Sequence, residues 1–274
     1  LNRNEPNLGL VGHVNRIFSI AKSQLIVVNA GDDISIPTRT EVIFSYWESS
    51  DNKPYLIHSS VNEINYNGEE IGIRKPKEYV IQNTNFRLID LVKNQTTGIG
   101  ATFAWDRRIY DFFGSLSEYV EIEDRPLFFR AAALGEILYL DTPLVKYRIG
   151  GISSSSNEEE NRFLLFGGRI KTLSWKVTST RSILDDVRLI EFPEKKEFID
   201  FSEKLVDLGT LEISISKRGK TERLLLIPDI IIMSFKYMSF KPIRYFVKYL
   251  FSSLYPYYSR FKRLLFNFPK QRNL

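Results

Sequence analysis

The chain has 274 residues, 43% of them hydrophobic, which is ordinary for a globular domain with an appendage and long enough to bury a sizeable core. It contains no cysteine, so disulfide-stapled scaffolds, thiolate metal sites and cysteine nucleophiles are excluded. Its net charge is +5, and no run of about 18 uninterrupted apolar residues predicts a membrane span.

The elements of the first half predict an α/β fold. Helices are expected at 12–22, 37–49, 85–93, 106–113 and 123–134, and strands at 25–29, 55–61, 98–103, 137–140 and 144–147. On the second helix, Val42, Ile43, Tyr46 and Trp47 are expected to face inward. Asn67-Gly68 predicts a hairpin turn.

The second half is expected to be a separate extension. The polar segment 153–161 predicts a loop or domain boundary, and helices are expected near 161–186 and 194–208. A strand pair is expected around the Lys217-Arg218-Gly219-Lys220 turn. The predicted domains are therefore 1–152, 153–233 and 234–274.

Two acidic pairs are the main candidates for chemistry. Asp32 and Asp33 follow the apolar strand that begins at Leu25, at the strand end where open α/β sheets bind ligands. Two adjacent carboxylates suit Mg²⁺ or Mn²⁺ carrying phosphate oxygens. Glu123 and Asp124 open a helix, where an acid also complements the helix dipole without any catalytic role.

The order and spacing of several motifs resemble family 2 glycosyltransferases of the GT-A fold, in a bacterial form. The matching segments are Gly9 to Asn15, Ile26 to Arg39, Gly98 to Ala101, Arg107-Arg108, Phe113-Gly114, Glu123-Asp124, Arg130-Ala131, Gly135 and Pro143 to Arg148. The resemblance implies a partial GT-A, Rossmann-like mixed sheet flanked by helices. It also implies that the family's amino-terminal nucleotide-binding βαβ unit precedes Leu1 and is missing here.

The resemblance implies inverting transfer of a sugar from a nucleotide-sugar donor to an acceptor hydroxyl. Asp124 would be the general base, and Glu123, Gly100 and Arg125 would bind the acceptor. A saccharide or lipid-linked saccharide acceptor, in the biosynthesis of a bacterial cell-surface polysaccharide such as O-antigen or capsule, is expected.

The donor side is expected at Asp32, Asp33 and Arg148. By resemblance, Asp32 and Asp33 would hold a divalent cation, Mg²⁺ or Mn²⁺, on the donor diphosphate. The family's metal motif usually has an aspartate at the position of Ala30, and many relatives have a histidine shortly after the position of Arg148. Both departures weaken the expected metal site.

The positive charge is concentrated in residues 234–274, which contain nine Lys and Arg and no Asp or Glu. Apolar residues at helical spacing, from Ile243 through Phe246 and Val247 to Leu250, predict an amphipathic helix with Lys241, Arg244 and Lys248 on another face. A basic, aromatic-rich helix of this kind is typical of a membrane interface. We therefore expect peripheral attachment to anionic lipid at the cytoplasmic face of the cell membrane; a terminal helix packed on the core is the alternative.

Two other functions fit parts of the pattern. A catalytically inactive glycosyltransferase-like module that binds a membrane or a partner would explain Ala30 and the expected missing amino-terminal unit. A metal-dependent nucleic-acid enzyme would use the carboxylates for metal and the basic tail as a phosphate track, but the amphipathic spacing of the tail argues against nucleic acid.

Overall fold

The computed structural model describes residues 4–81, 85–150 and 167–250, and its internal contacts divide the chain into two units, residues 1–206 and 207–274. The predicted boundary at 152–153 lies outside the described residues. The boundary at 233–234 stays a prediction.

The first unit alternates short strands and helices up to residue 148. Its strands are β1 (Leu25–Val27), β2 (Ile34–Ser35), β3 (Leu56–Ile64), β4 (Glu70–Arg74), β5 (Ala104–Asp106) and β6 (Ile137–Arg148). Its helices are α1 (Gly9–Ile20), α2 (Arg39–Ser49), α3 (Glu78–Ile81), α4 (Leu88–Lys93), α5 (Arg108–Phe113), α6 (Asp124–Leu134) and α7 (Gly167–Val187), with a 3₁₀ turn at Gly100–Thr102.

The six strands form one mixed sheet. The hydrogen-bonded strand order is β1-β5-β3-β6-β2. Strand β4 lies off this path and pairs with β3. Only β3 and β6 run parallel, and the remaining pairs are antiparallel. The predicted α/β class with a mixed sheet flanked by helices is confirmed.

The sheet buries apolar side chains on both faces. Consecutive strand residues point to opposite faces, so Leu56 joins the larger cluster with α1, α4, α5 and α6, while Ile57 joins the smaller one under α2. On α2, Ile43 and Trp47 are buried as predicted, whereas Tyr46 is 50% exposed. The prediction for Tyr46 was wrong because the inward stripe of α2 continues to Arg39 instead.

A buried ion pair joins α6 to α7. Arg130 Nε and Nη2 each donate to an Asp186 carboxylate oxygen at 2.8 Å, and the two side chains are 3% and 5% exposed. Burial raises the pKa of Asp186, and the bonds from Arg130 oppose that rise. A bidentate guanidinium-carboxylate pair fixes the relative position of the two helices.

Four helices carry the chain from residue 195 to 250: α8 (Lys195–Lys217), α9 (Lys220–Leu224), α10 (Ile227–Lys236) and α11 (Lys241–Leu250). Within the second unit, the Tyr249 hydroxyl donates to Glu212 Oε1 at 3.2 Å. Arg223 donates to the carbonyl oxygens of Ile215, at 2.8 Å, and Tyr249. These bonds hold α9 and α11 to the end of α8. No helix of the described ranges is long and apolar enough to cross a bilayer.

Three predicted elements differ from the structure. The strand at 98–103 is replaced by the 3₁₀ turn, because Thr102 bonds back to the carbonyl of Ile99 through its amide and its hydroxyl. The two strands at 137–140 and 144–147 are one strand, β6. The strand pair around residues 217–220 is helical, since the Glu222 carboxylate accepts the Gly219 N–H at 3.0 Å and starts α9.

Candidate functional site

Asp124 is the first residue of α6; the residue as a whole is half-buried, while its carboxyl group is enclosed against the 3₁₀ turn. A Cβ at Gly100 would lie 1.8 Å from Asp124 Oδ1, so no side chain larger than hydrogen fits there without movement. The Thr97 hydroxyl donates to the Asp124 carbonyl oxygen at 3.4 Å. An acid that merely complements a helix dipole would extend into water, whereas this carboxyl group is held under the turn.

Glu123 and Asp124 form a hydrogen-bonded carboxyl pair. Burial raises the pKa of Asp124 well above its usual value, and the charge of Glu123 and the bond to it raise it further. Burial also raises the pKa of Glu123, against the effect of its hydrogen bonds. Two acids this close cannot both ionise freely, so the pair keeps one proton to higher pH than an isolated carboxyl group would.

Arg125 follows in the same turn of α6 and is only 7% exposed. Its Nε has no hydrogen-bond partner within the described ranges, and burial lowers its pKa to about 10. A buried guanidinium nitrogen without an acceptor carries an unmet desolvation cost. Among the described residues, Arg125 Nε is therefore an unsatisfied donor one residue after Asp124.

The second acidic site lies in the turn between β1 and β2, and the structure brings Arg148 to it. The Arg148 backbone N–H donates to Asp33 Oδ1 at 2.9 Å, and its Nε donates to the Asp32 carbonyl at 3.0 Å. Its Nη1 donates to the carbonyls of Asn65 and Tyr66, each at 2.9 Å. All three predicted donor-site residues are therefore neighbours. The Arg148 guanidinium is mostly occupied by hydrogen bonds to backbone carbonyls of the adjacent loops.

Asp32 and Asp33 differ in their surroundings. Asp32 is exposed, whereas Asp33 is half-buried and its Oδ2 is enclosed with no hydrogen-bond partner among the residues described. Burial raises the pKa of Asp33, the backbone bond from Arg148 lowers it, and the charge of Asp32 raises it again.

The pair fits a divalent cation that takes its other oxygens from phosphates, because Asp33 Oδ2 lacks a partner and Asp32 is accessible. The described part of the chain has no group of three or more His, Cys, Asp or Glu side chains placed to hold a metal ion.

Arg39 connects the two acidic sites. This first residue of α2 is 1% exposed; its Nη1 donates to Ser35 Oγ at 3.1 Å and its Nη2 donates to the Ala101 carbonyl at 3.3 Å. Ala101 belongs to the turn that encloses Asp124, and Ser35 lies two residues beyond Asp33. Burial lowers the pKa of Arg39 to about 10, and the charge of Asp33 counteracts the shift.

His58 lies beneath the same turn. It is 1% exposed, and a Cβ at Gly98 would lie 2.9 Å from His58 Nδ1. Neither ring nitrogen has a hydrogen-bond partner in the described part of the chain, and the ring packs on Tyr139 with centroids 5.2 Å apart. Burial lowers its pKa to about 3, so His58 is neutral and supports the turn by packing.

A cavity of about 760 Å³ lies at the other end of α6, beside Leu134 and Gly135. Its polar lining is internally bonded: Asp106 accepts from Gln24 at 2.7 Å and from Trp47 at 3.3 Å, and pairs with Arg108. The length of α6, about 15 Å, separates this cavity from Asp124. The cavity is therefore not part of the carboxyl site.

Sequence reasoning missed two residues of this region. Arg39 carried a signal, because a cation on the first turn of a helix opposes the helix dipole and needs another reason to be there. For His58 the sequence carries no such signal, because the residue simply lies in an apolar strand. Arg107 and Arg108, which belong to the motif order described above, bond to backbone carbonyls and to Asp111 and Asp106.

The sequence matches no model of a known protein family, and no curated protein matches it.

Proposed function

We propose that the chain belongs to an inverting glycosyltransferase of the GT-A type, which moves a sugar from a nucleotide-sugar donor to an acceptor hydroxyl. The observation that carries the proposal is the enclosed Asp124 carboxyl group, with its raised pKa and its partner Glu123. Buried acids with strongly perturbed pKa values are typical of catalytic sites and unusual for an ordinary helix start. The resemblance of the motif order supplies the reaction class.

Asp124 acts in this proposal as the general base. Its carboxylate takes the proton of the acceptor hydroxyl as the hydroxyl oxygen bonds to the anomeric carbon. The bond between that carbon and the diphosphate oxygen breaks in the same step, and the nucleoside diphosphate leaves with the electron pair. A carboxylate whose pKa is raised above that of an ordinary aspartate is a stronger base once it is ionised.

The neighbouring residues position the acceptor. Glu123 holds Asp124 through the shared hydrogen bond, and Gly100 leaves space for the carboxyl group against the turn. Arg125 offers Nε to an acceptor oxygen. A saccharide or lipid-linked saccharide, as in bacterial cell-surface polysaccharide synthesis, is the proposed acceptor.

Asp32 and Asp33 lie on the donor side of the proposal, with Arg148 fixing their turn. A divalent cation held there would neutralise the negative charge that develops on the leaving diphosphate. The buried Asp33 Oδ2 without a partner and the accessible Asp32 support this assignment. Ala30 leaves these two carboxylates as the whole of the expected metal motif.

Asp32→Asn is expected to weaken Mn²⁺ binding in the presence of a nucleoside diphosphate by at least about tenfold, because one of two anionic ligands becomes a neutral amide. Electron paramagnetic resonance of Mn²⁺, with UDP and GDP each in excess, measures the free ion. Asp51→Asn, which changes another exposed acid, is the matched control. Equal Mn²⁺ affinity in both variants would remove Asp32 from the metal site.

The proposed reaction is tested by release of nucleoside diphosphate. The full-length protein, including any sequence that precedes Leu1, is incubated with a panel of UDP-, GDP- and dTDP-sugars, with and without oligosaccharide and glycolipid acceptors. We expect acceptor-stimulated release with at least one donor. Absence of release across the panel, from protein that is folded by circular dichroism, would count against glycosyl transfer and favour the inactive module.

A further inference from the structure

The second unit presents an extended apolar surface that its own packing leaves uncovered. Large apolar side chains from α9 through α11 are 39% to 90% exposed, with Phe235 at 76% and Met238 at 90%. We call this set the apolar face; its members are Leu224, Leu225, Ile227, Ile231, Ile232, Phe235, Met238, Phe240, Ile243 and Val247. Surfaces of this kind mark sites of interaction with proteins or membranes.

The spacing on α10 makes the exposed side chains contiguous. Ile227, Ile231 and Phe235 are four residues apart and share one side of the helix, with Ile232 next to that stripe. Ile230, which is 5% exposed, lies on the packed side of α10. The outer side of α10 thus carries an exposed apolar stripe, with the exposed Asp229 and Lys236 at its two ends beside Ile232, whereas an ordinary surface helix is mainly polar there.

Basic residues accompany the exposed apolar residues on α11. Lys241 and Arg244 are exposed and alternate along the helix with the exposed Ile243 and Val247. Neither cation lies within ion-pair distance of a carboxylate in the described part of the chain. Lys236, by contrast, is paired with Asp207 at 2.8 Å. Helix α11 contains no acid.

We propose that the apolar face, with Lys241 and Arg244, docks on the surface of an anionic lipid bilayer. Apolar side chains with cations at the same surface match the two layers of a membrane interface: acyl chains below and negatively charged headgroups above. The sequence that follows, residues 251–274, adds five Lys and Arg and no acid, so the charge of this part of the chain complements anionic lipid. This inference does not depend on the proposed glycosyl transfer.

The proposed surface differs from the one predicted for residues 234–274. It begins ten residues earlier, at Leu224, and includes the outer side of α10. On α11, Phe246 is half-buried and not part of it, while Ile243 and Val247 are. The distinguishing expectation is that isoleucines before residue 234 contribute to lipid binding. Predicted tail residues beyond 250 lie outside the described part of the chain.

The test is co-sedimentation of the full chain with vesicles of phosphatidylglycerol and phosphatidylcholine, against vesicles of phosphatidylcholine alone. The double variant Ile231→Ser/Ile232→Ser removes apolar contacts, and Lys241→Gln/Arg244→Gln removes charge. Ile71→Ser/Ile73→Ser is the matched control, because these isoleucines of β4 are 55% and 62% exposed, close to 50% and 61% for the first pair. Circular dichroism checks that each variant is folded.

We expect each test variant to bind anionic vesicles at least about tenfold more weakly, and the control to bind as the unchanged chain does. Raising the salt concentration should weaken the unchanged chain more than the Lys241→Gln/Arg244→Gln variant. Equal binding by all variants, with loss only on Arg260→Gln/Lys262→Gln/Arg263→Gln, would assign lipid binding to the later residues and overturn the proposal. A lipid-free dimer that the isoleucine variant dissociates, without vesicle binding, would instead make this face a self-association surface.

Discussion

Asp124→Asn is expected to lower turnover at least about a hundredfold and, at the same time, to stabilise the fold. The loss follows because an amide cannot accept the acceptor proton, and removal of a general base typically costs this much. Donor binding should change little, since Asp32 and Asp33 are untouched. Acceptor-dependent nucleoside diphosphate release, measured as kcat and KM, separates the two effects.

The gain in stability has a defined pH dependence. The folded state raises the pKa of Asp124, so ionising it penalises the folded state as pH rises through that pKa. Asn carries no charge to bury and can still donate to Glu123. We expect the free energy of unfolding of the variant to exceed that of the unchanged chain by roughly 0.5–2 kcal/mol at pH 8 and to match it at pH 3.

The control for both effects is Asp111→Asn. Asp111 also lies in the first turn of a helix, but its side chain is 52% exposed and paired with Arg107. Turnover should be unchanged and stability equal or slightly lower at pH 8. If Asp124→Asn behaves like Asp111→Asn in both measurements, Asp124 is an ordinary acid at a helix start and not the base.

His58 is expected to make the fold acid-sensitive. Its folded pKa is about 3, below the ordinary value of 6.5. The unfolded chain therefore binds a proton that the folded chain excludes, so stability falls as pH drops from 6.5 toward 3. One pKa unit corresponds to about 1.4 kcal/mol, so His58 should cost about 3 kcal/mol between pH 6.5 and pH 4.

Urea unfolding at several pH values measures this slope. His58→Phe should lose this pH dependence. Any change in packing shifts the free energy of unfolding equally at every pH, so it does not alter the slope. His13→Gln, which removes the other histidine at an exposed position, should keep the slope. A slope unchanged in His58→Phe would show that other groups titrate and that the His58 pocket opens to water.

Caps, turn residues and the spacing of apolar residues predicted several helix ends and turns correctly. The start of α6 at Asp124, its end before Gly135 and the presence of a hairpin turn at Asn67-Gly68 were readable from turn, cap and spacing rules, whereas the register that pairs Asn62 with Ile73 was not. The 3₁₀ turn within residues 98–103 was not readable in this way. Its apolar run resembles a strand, and the bond from Thr102 back to Ile99 has no sequence signal. Similarly, Gly219 followed by Glu222 starts a helix where a turn between strands was predicted.

The contacts that hold the candidate site residues in place could not be predicted from local patterns. Placing Asp124 against Gly100 depends on a contact between distant segments, which no local pattern contains. The same is true of the bond from Arg148 to Asp33, made across 115 residues, and of the role of Arg39. Exposure of Ile231 and Ile232 was equally unpredictable, because an apolar helix sequence does not say which of its sides is covered.

The stereochemistry of the product tests the central claim most directly. The anomeric configuration of the transferred sugar, read from its proton coupling constant by NMR, is compared with that of the donor. We predict inversion, because Asp124 deprotonates the acceptor for a single displacement and no carboxylate of the site forms a covalent sugar intermediate. Retention of configuration, or transfer at full rate by Asp124→Asn, would contradict it.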